Sequence, residues 1–371
     1  MKGMESMLYN YYTKADTAYS ILTSGIIWAT NIKYMNDFEE FLNGLNEIKK
    51  YRNGEIPENQ LMGCIRELEK LSNVKLYTIS LCGRSDALSQ WSMYAKESGV
   101  CIEMDLDKYK DISYEIIDDE LECKYPLKYK HVIYCTADSG AMSESELKSS
   151  QEEIKILLES CCSNDQGPTG MQESVSKCAA LIKRYEFFQE DEYRAIFNIN
   201  NSGQKCIGFR MDKGVLKSYV KVKCFTNGEI GWPVNSIMIG PGFNQDVVFN
   251  SWMFVLDNAI LKIPSMNKDD YLKRISDYFT IAIEKFPPDI QEELNQTVNQ
   301  SLAEWKKDFS VENPEFSYII HSHLDDLIKE LTQRATSQKD NTEEKLSEYW
   351  KSNYFSRSGI ILKKSSIPYI F

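Results

Sequence analysis

Histidine is scarce: the 371-residue chain holds three, His131, His321 and His323. The last two are two positions apart, so on a helix they diverge. No Gly-x-Ser-x-Gly elbow offers His131 a nucleophile, and a Ser-His-Asp hydrolase finds no footing. The ten cysteines form no C-x-x-C pair and have no histidine at ligand spacing, so no metal centre is expected. They read instead as small apolar residues kept reduced. No apolar run approaches the roughly 20 residues of a membrane helix. The opening MKGMESMLYN lacks the apolar core of a secretory signal, which gives a cytoplasmic expectation. The first strand–helix–strand stretch has no G-x-G-x-x-G turn, which removes support for a Rossmann nucleotide site. Gly240-Pro241-Gly242 has no P-loop Lys or Ser/Thr beside it and reads as a plain turn. A net charge of −12 speaks against generic affinity for nucleic acid or anionic membrane, although a local basic groove could hide within it.

What the chain does have is a strand–helix–strand stretch from Leu76 to Asp105. Leu76 to Leu81 alternates apolar and polar residues, the pattern of a half-buried strand. Ser85 or Asp86 can cap a helix, on which Leu88, Trp91, Tyr94 and Ala95 share one face. Ser98-Gly99 ends it, and Val100, Ile102 and Met104 begin a second strand with Cys101, Glu103 and Asp105 on its other side. Before this unit, LYNYY, a helix ending at Gly25, Ile26 to Thr30 and the loop MNDFEEFLNG follow one another, then a helical excursion over 44–73. After it, strands and turns run through HVIYC, a helical stretch spans 143–188, and EYRAIFN returns to strand. Two further strands, near Lys205–Arg210 and Val215–Cys224, precede the one at Ser236–Ile239. The fold class is α+β: a split antiparallel sheet core over 1–252, an all-helical insertion over 253–354, and short strands in 355–371 that rejoin the sheet.

Several of these stretches together resemble the bacterial family named domain of unknown function 2971. They are Tyr9, Asn10 and Tyr11; Asn36, Asp37, Glu40, Phe41 and Gly44; Ser80-Leu81; Trp91, Tyr94 and Ala95; Gly99, Cys101, Ile102 and Glu103; Glu190, Glu192, Tyr193 and Arg194; and Ser365 or Ser366 with Ile367, Pro368 and Tyr369. Asn10, Cys82 and Tyr193 depart from the family's usual Lys, Ser and Trp. The order of motifs is similar to that of the ADP-ribosyltransferase fold. That resemblance implies NAD as substrate, with Tyr9 or Tyr11, Ser80 and Glu192 as the triad positions, and it allows a role as a toxin or anti-phage effector.

The residue types suit such chemistry. A carboxylate at the ribose 2′-hydroxyl stabilises the charge that develops as the nicotinamide bond breaks, and arginine meets a pyrophosphate with a two-pronged fork. Glu192 and Arg194 are two apart in a predicted strand and so face one side. The catalytic candidates that the resemblance implies are Glu192, Ser80 and Tyr11. Tyr9, Arg194, Trp91, Tyr94, Glu103, Asn36, Asp37 and Glu40 are the candidates for holding the nucleotide. Two other classes stay open: a metal-dependent nuclease on Asp37, Glu40, Glu103 and Glu192, and a non-catalytic adaptor that binds a partner protein through 253–354.

Overall fold

The computed structural model describes residues 7–35, 39–50, 58–70, 74–94, 99–117, 124–135, 142–161, 168–199, 206–286, 288–308, 316–336 and 348–367. The aromatic opening forms β1 (Tyr9–Lys14). It leads into α1 (Ala15–Ser24), which stops at Gly25 in the left-handed region, φ 71°. Then come β2 (Ile26–Asn31), α2 (Glu40–Lys49), α3 (Glu58–Glu69), β3 (Leu76–Cys82), α4 (Leu88–Tyr94) and β4 (Gly99–Met104). Four short strands follow: β5 (Ile112–Ile116), β6 (Tyr125–Pro126), β7 (Tyr129–His131) and β8 (Ile133–Cys135). The stretch expected to stay helical to residue 188 gives α5 (Glu144–Cys161) and α6 (Pro168–Ala179). It then turns into β9 (Ile182–Arg184), which pairs in parallel with β8, and a 3-10 turn, Tyr185–Glu190. After it run β10 (Glu192–Asn198), β11 (Ile207–Asp212), β12 (Val215–Thr226), β13 (Glu229–Ile230) and β14 (Val234–Ile239). The chain ends with α7 (Gln245–Asn258), α8 (Lys268–Ile283), α9 (Pro288–Asp308), α10 (Phe316–Thr336), β15 (Asn353–Phe355) and β16 (Ile361–Lys364).

The fold is mixed α and β with mostly antiparallel strand pairing, and it divides into two compact units. The first comprises residues up to Tyr11, Gly25–Ser85 and Tyr109–Gly231; the second comprises Tyr12–Ser24, Asp86–Lys108 and Trp232–Phe371. The division departs from the expected boundary at 252, because two earlier stretches of chain join the C-terminal part.

In the first unit β3 is central. One edge pairs with β10 along seven residues, Glu192↔Cys82 through Asn198↔Leu76. The other edge is shared: Asn10 of β1 faces Cys82, while Thr30 and Asn31 of β2 face Thr78 and Tyr77. β12 continues the sheet, with β2 on one edge and β11 and β5 in turn on the other. Helices α2, α3, α5 and α6 bury Phe41, Leu45, Ile48, Leu61, Ile65, Leu158 and Val175 together with Leu76 and Ile182. Such burial contributes roughly 1.5–3 kcal/mol for each large side chain. The alternation of β3 therefore does not mark a solvent face: Thr78 is buried, and so is all of β3 except the half-buried Ser80.

In the second unit β14 pairs antiparallel with β4 and parallel with β16, and β15 flanks β16. The strand expected near 359–362 thus rejoins a sheet; Pro368 to Phe371 lie outside the described residues. Helices α8, α9 and α10 share a core of Ile275, Phe279, Leu294, Val298, Ile320 and Leu327, to which Phe355 and Ile361 also belong. Asp86 does not cap α4 in this unit. It adopts φ 51°, and its carboxylate accepts the Trp91 indole N–H at 2.8 Å, the Ser365 hydroxyl, and the Ser366 amide and hydroxyl. No helix among the described residues is long and apolar enough to cross a membrane.

At Gly44, helix α2 runs close against the end of α6. A Cβ there would lie 2.2 Å from the carbonyl oxygen of Ala179, a backbone atom that cannot rotate away. Gly44→Ala is expected to lower stability by about 1–3 kcal/mol despite its better helix propensity, because overpacking outweighs that gain. A thermal melt reads this directly, and an unchanged or higher Tm would contradict the packing described.

Candidate functional site

Register assigns the side chains of the first unit to faces. Cross-strand partners point the same way and successive residues alternate. One face therefore carries Thr78, Ser80, Glu192, Arg194, Thr30, Trp28, Tyr219, Lys221 and Arg210. Asn10 joins them through Cys82. Tyr9 falls on the opposite face, where its ring meets Tyr129 at 4.9 Å and Tyr193 at 5.1 Å. The expected meeting of a first-strand phenol with Glu192 thus fails for Tyr9. Alternation from Asn10 turns Tyr11 the same way, though it lies where β1 has left β3 and still senses Arg210: burial raises its phenol pKa, and the guanidinium opposes the rise.

The helix-covered half of the face is an ionic cluster. Arg194, 1 % exposed, donates from Nε and Nη2 to both carboxylate oxygens of Glu192 at 2.7 and 2.8 Å. It also donates from Nη1 to the Ala180 carbonyl at 2.6 Å and from Nη2 to Glu40. Lys183 donates to Glu190 at 2.8 Å and to Glu192 at 2.7 Å, with Glu40 at 3.6 Å. Glu40 opens α2, where the helix dipole favours a carboxylate. Burial works against an ionised Glu192, yet Arg194 and Lys183 outweigh it and hold the carboxyl at about 2. Glu190 is pushed the other way, above the ordinary carboxylate value, chiefly by burial. The fork expected to meet a pyrophosphate grips Glu192 instead. The acid expected at a ribose is fully engaged, and sequence reasoning missed Lys183 because its strand was read as helix.

The open half of the face is different. Trp28, 42 % exposed, stacks on Tyr219 with centroids 4.2 Å apart and planes 6° apart. The Arg210 guanidinium lies 5.8 Å from the Trp28 ring and donates to the Thr30 hydroxyl at 3.0 Å. Three buried polar atoms of this region make no hydrogen bond: Ser80 Oγ, Thr78 Oγ1 and Arg210 Nε. A buried donor left unpaired costs on the order of 1–3 kcal/mol, so their gathering on one face needs an explanation. Ser80 was read from sequence; Trp28, Thr78, Tyr219 and Arg210 were not, although the alternating K-x-Y-x-K-x-K run of 217–223 was visible.

Asn36 and Asp37 are outside the described residues. Trp91 is buried in the second unit against Tyr12, Tyr94 is half-buried, and Glu103 accepts from Ser236 and Lys363. Among the described residues no group of three or more His, Cys, Asp or Glu side chains could hold a metal ion. Glu40 and Glu192 do converge, but on two cations.

The cluster makes two stability predictions. Glu192→Gln removes one carboxylate from between Arg194 and Lys183 and is expected to cost about 3–5 kcal/mol, as breaking a buried pair does. Because the folded-state pKa of Glu192 lies below the ordinary 4.5, its stabilisation is full above that value. It fades as pH falls toward about 2. Urea midpoints of wild type and Glu192→Gln should therefore differ most near neutral pH and converge in acid. A difference independent of pH would refute the ionic role.

Comparison with known proteins adds one match. Residues 90–195 fit the family described as Protein of unknown function (DUF2971). No curated protein and no solved structure matches the chain. The matched segment runs from the residue before Trp91 to the residue after Arg194, so it includes Glu190, Glu192 and Arg194 of the ionic cluster. The resemblance to that family is confined to this segment, less than a third of the chain.

Proposed function

We propose that the first unit binds a nucleotide on the open half of its sheet face, and that the ligand is of the NAD class. The supporting observation is the group of buried, unpartnered polar atoms, Ser80 Oγ, Thr78 Oγ1 and Arg210 Nε, beside the Trp28–Tyr219 stack. Ribose hydroxyls are donors and acceptors that would satisfy the two side-chain hydroxyls. A phosphate would take the remaining capacity of Arg210, a guanidinium already aimed by Thr30. The exposed side of the Trp28 indole offers a base or nicotinamide ring a stacking surface. NAD is favoured among nucleotides because the order of motifs resembles that of the ADP-ribosyltransferases.

In this reading Glu192 shapes the site without touching the ligand. It fixes Arg194, which stands directly across from Ser80 in register. Transfer of ADP-ribose, or hydrolysis of the glycosidic bond, needs a carboxylate beside the ribose. Glu192 is committed to two cations, so the proposal is binding without turnover. Neither competing class gains comparable support: Glu40, Glu103 and Glu192 of the nuclease reading are each paired with a cation, and the adaptor reading has no particular observation behind it.

Calorimetric titration with NAD tests the proposal. Saturable binding is expected. Arg210→Ala should weaken it about ten- to a hundredfold, the value of a hydrogen bond to a charged group, and Trp28→Ala should weaken it as well. No nicotinamide should accumulate. Absence of binding would overturn the proposal, and steady nicotinamide release lost in a folded Glu192→Gln variant would overturn the anchoring role.

A further inference from the structure

We propose that the open face of β12 is a track for single-stranded nucleic acid, of which the nucleotide site is one step. The inference rests on that site being a nucleotide site and goes beyond it in naming a polymer. Lys217, Tyr219, Lys221, Lys223 and Phe225 alternate along β12 on one face. Arg210 stands opposite Lys217 in register, and Lys124 reaches over Phe225 at 3.9 Å. The carboxylates among them are Asp212, 2.8 Å from Lys217, and Glu115, 3.5 Å from Lys223. Among the described residues of this face, five cations stand against two acids, on a chain whose net charge is −12.

Asp212 and Glu115 balance Lys217 and Lys223, which leaves the charges of Arg210, Lys221 and Lys124 along the row for a polyanion. Alternate residues of a strand are about 6.8 Å apart, a step suited to the phosphates of an extended single strand. Phe225 is buried, and the exposed Trp28 indole on Tyr219 supplies the other half of this kind of recognition. A base stacks on such a ring whatever its sequence, while the cations track the backbone. Gly208 has a specific part here: a Cβ at that position would lie 2.6 Å from the Tyr219 ring, so only glycine lets Tyr219 lie flat beneath Trp28. A lone phosphate or mononucleotide would engage only one end of this row. Its length, from Arg210 to Lys124, is what calls for a polymer.

Fluorescence anisotropy of the full chain with a labelled oligo-dT of about 12 nucleotides, within the usual span of such sites, tests the track. Binding is expected to weaken with salt, with a slope of log K against log[salt] near −2 for three neutralised phosphates. Lys124→Glu, at the end of the row away from Arg210, should cut oligonucleotide affinity about tenfold and reduce that slope by about 0.7, with NAD affinity unchanged. Lys351→Glu, exposed in the second unit, should leave both ligands unaffected. Binding of NAD without binding of oligo-dT would overturn the track and spare the nucleotide site; loss of both would overturn both. Oligonucleotide binding that ignores salt or Lys124→Glu, or that is matched by a duplex, would also overturn the track.

Discussion

Arg194 is the constraint on which the first unit is built. Its guanidinium is sealed under helices, where an uncompensated charge could not be tolerated. It therefore fixes what surrounds it: Glu192 two residues along the same strand, Glu40 at the start of α2, and the Ala180 carbonyl just after α6. Lys183 closes the cluster from β9. Strand, helix start and helix end are tied to one planar ion. The close approach of Gly44 to Ala179 belongs to the same junction. Buried ion pairs seldom add much net stability over a packed apolar core, but removing one member is costly. Such a cluster selects one arrangement of helices on sheet over its alternatives.

That arrangement divides the sheet face into a dry half and an open half. On the dry half the charges are matched and the acids are occupied. On the open half, hydroxyls and a guanidinium nitrogen are buried without partners beside a flat aromatic pair. The two halves meet at Ser80 and Thr78 on β3. On the proposed reading, Glu192 serves structure, while ligand contacts fall to Ser80 and to Trp28, Thr78 and Arg210, which no motif flagged.

Much of the fold was legible in the sequence. Periodicity and stop signals gave β1, α1, β2, β3, α4, β10 and β12 close to their observed bounds, since alternation and glycine stops are local properties. Local pattern could not distinguish a polar strand face in water from one under helices, which is why Thr78 and Ser80 looked like a solvent side. It also missed β9, a three-residue strand whose pairing with β8 is non-local. The site was half legible. Spacing put Glu192 and Arg194 on one strand face and Glu40 in a separate loop, but whether these groups bind one another or a ligand depends on Lys183 and on the helix cover. Trp28 and Arg210 are brought together only by the β2–β12–β11 register, which no single stretch encodes.

The most direct test is a crystal structure of the chain soaked with NAD. The account expects nucleotide density against Trp28, with phosphate at Arg210 and hydroxyl contacts to Ser80 and Thr78. The Glu192–Arg194 fork should stay intact beneath it. Density instead inserted between Glu192 and Arg194, with that pair broken to receive a ribose, would contradict it.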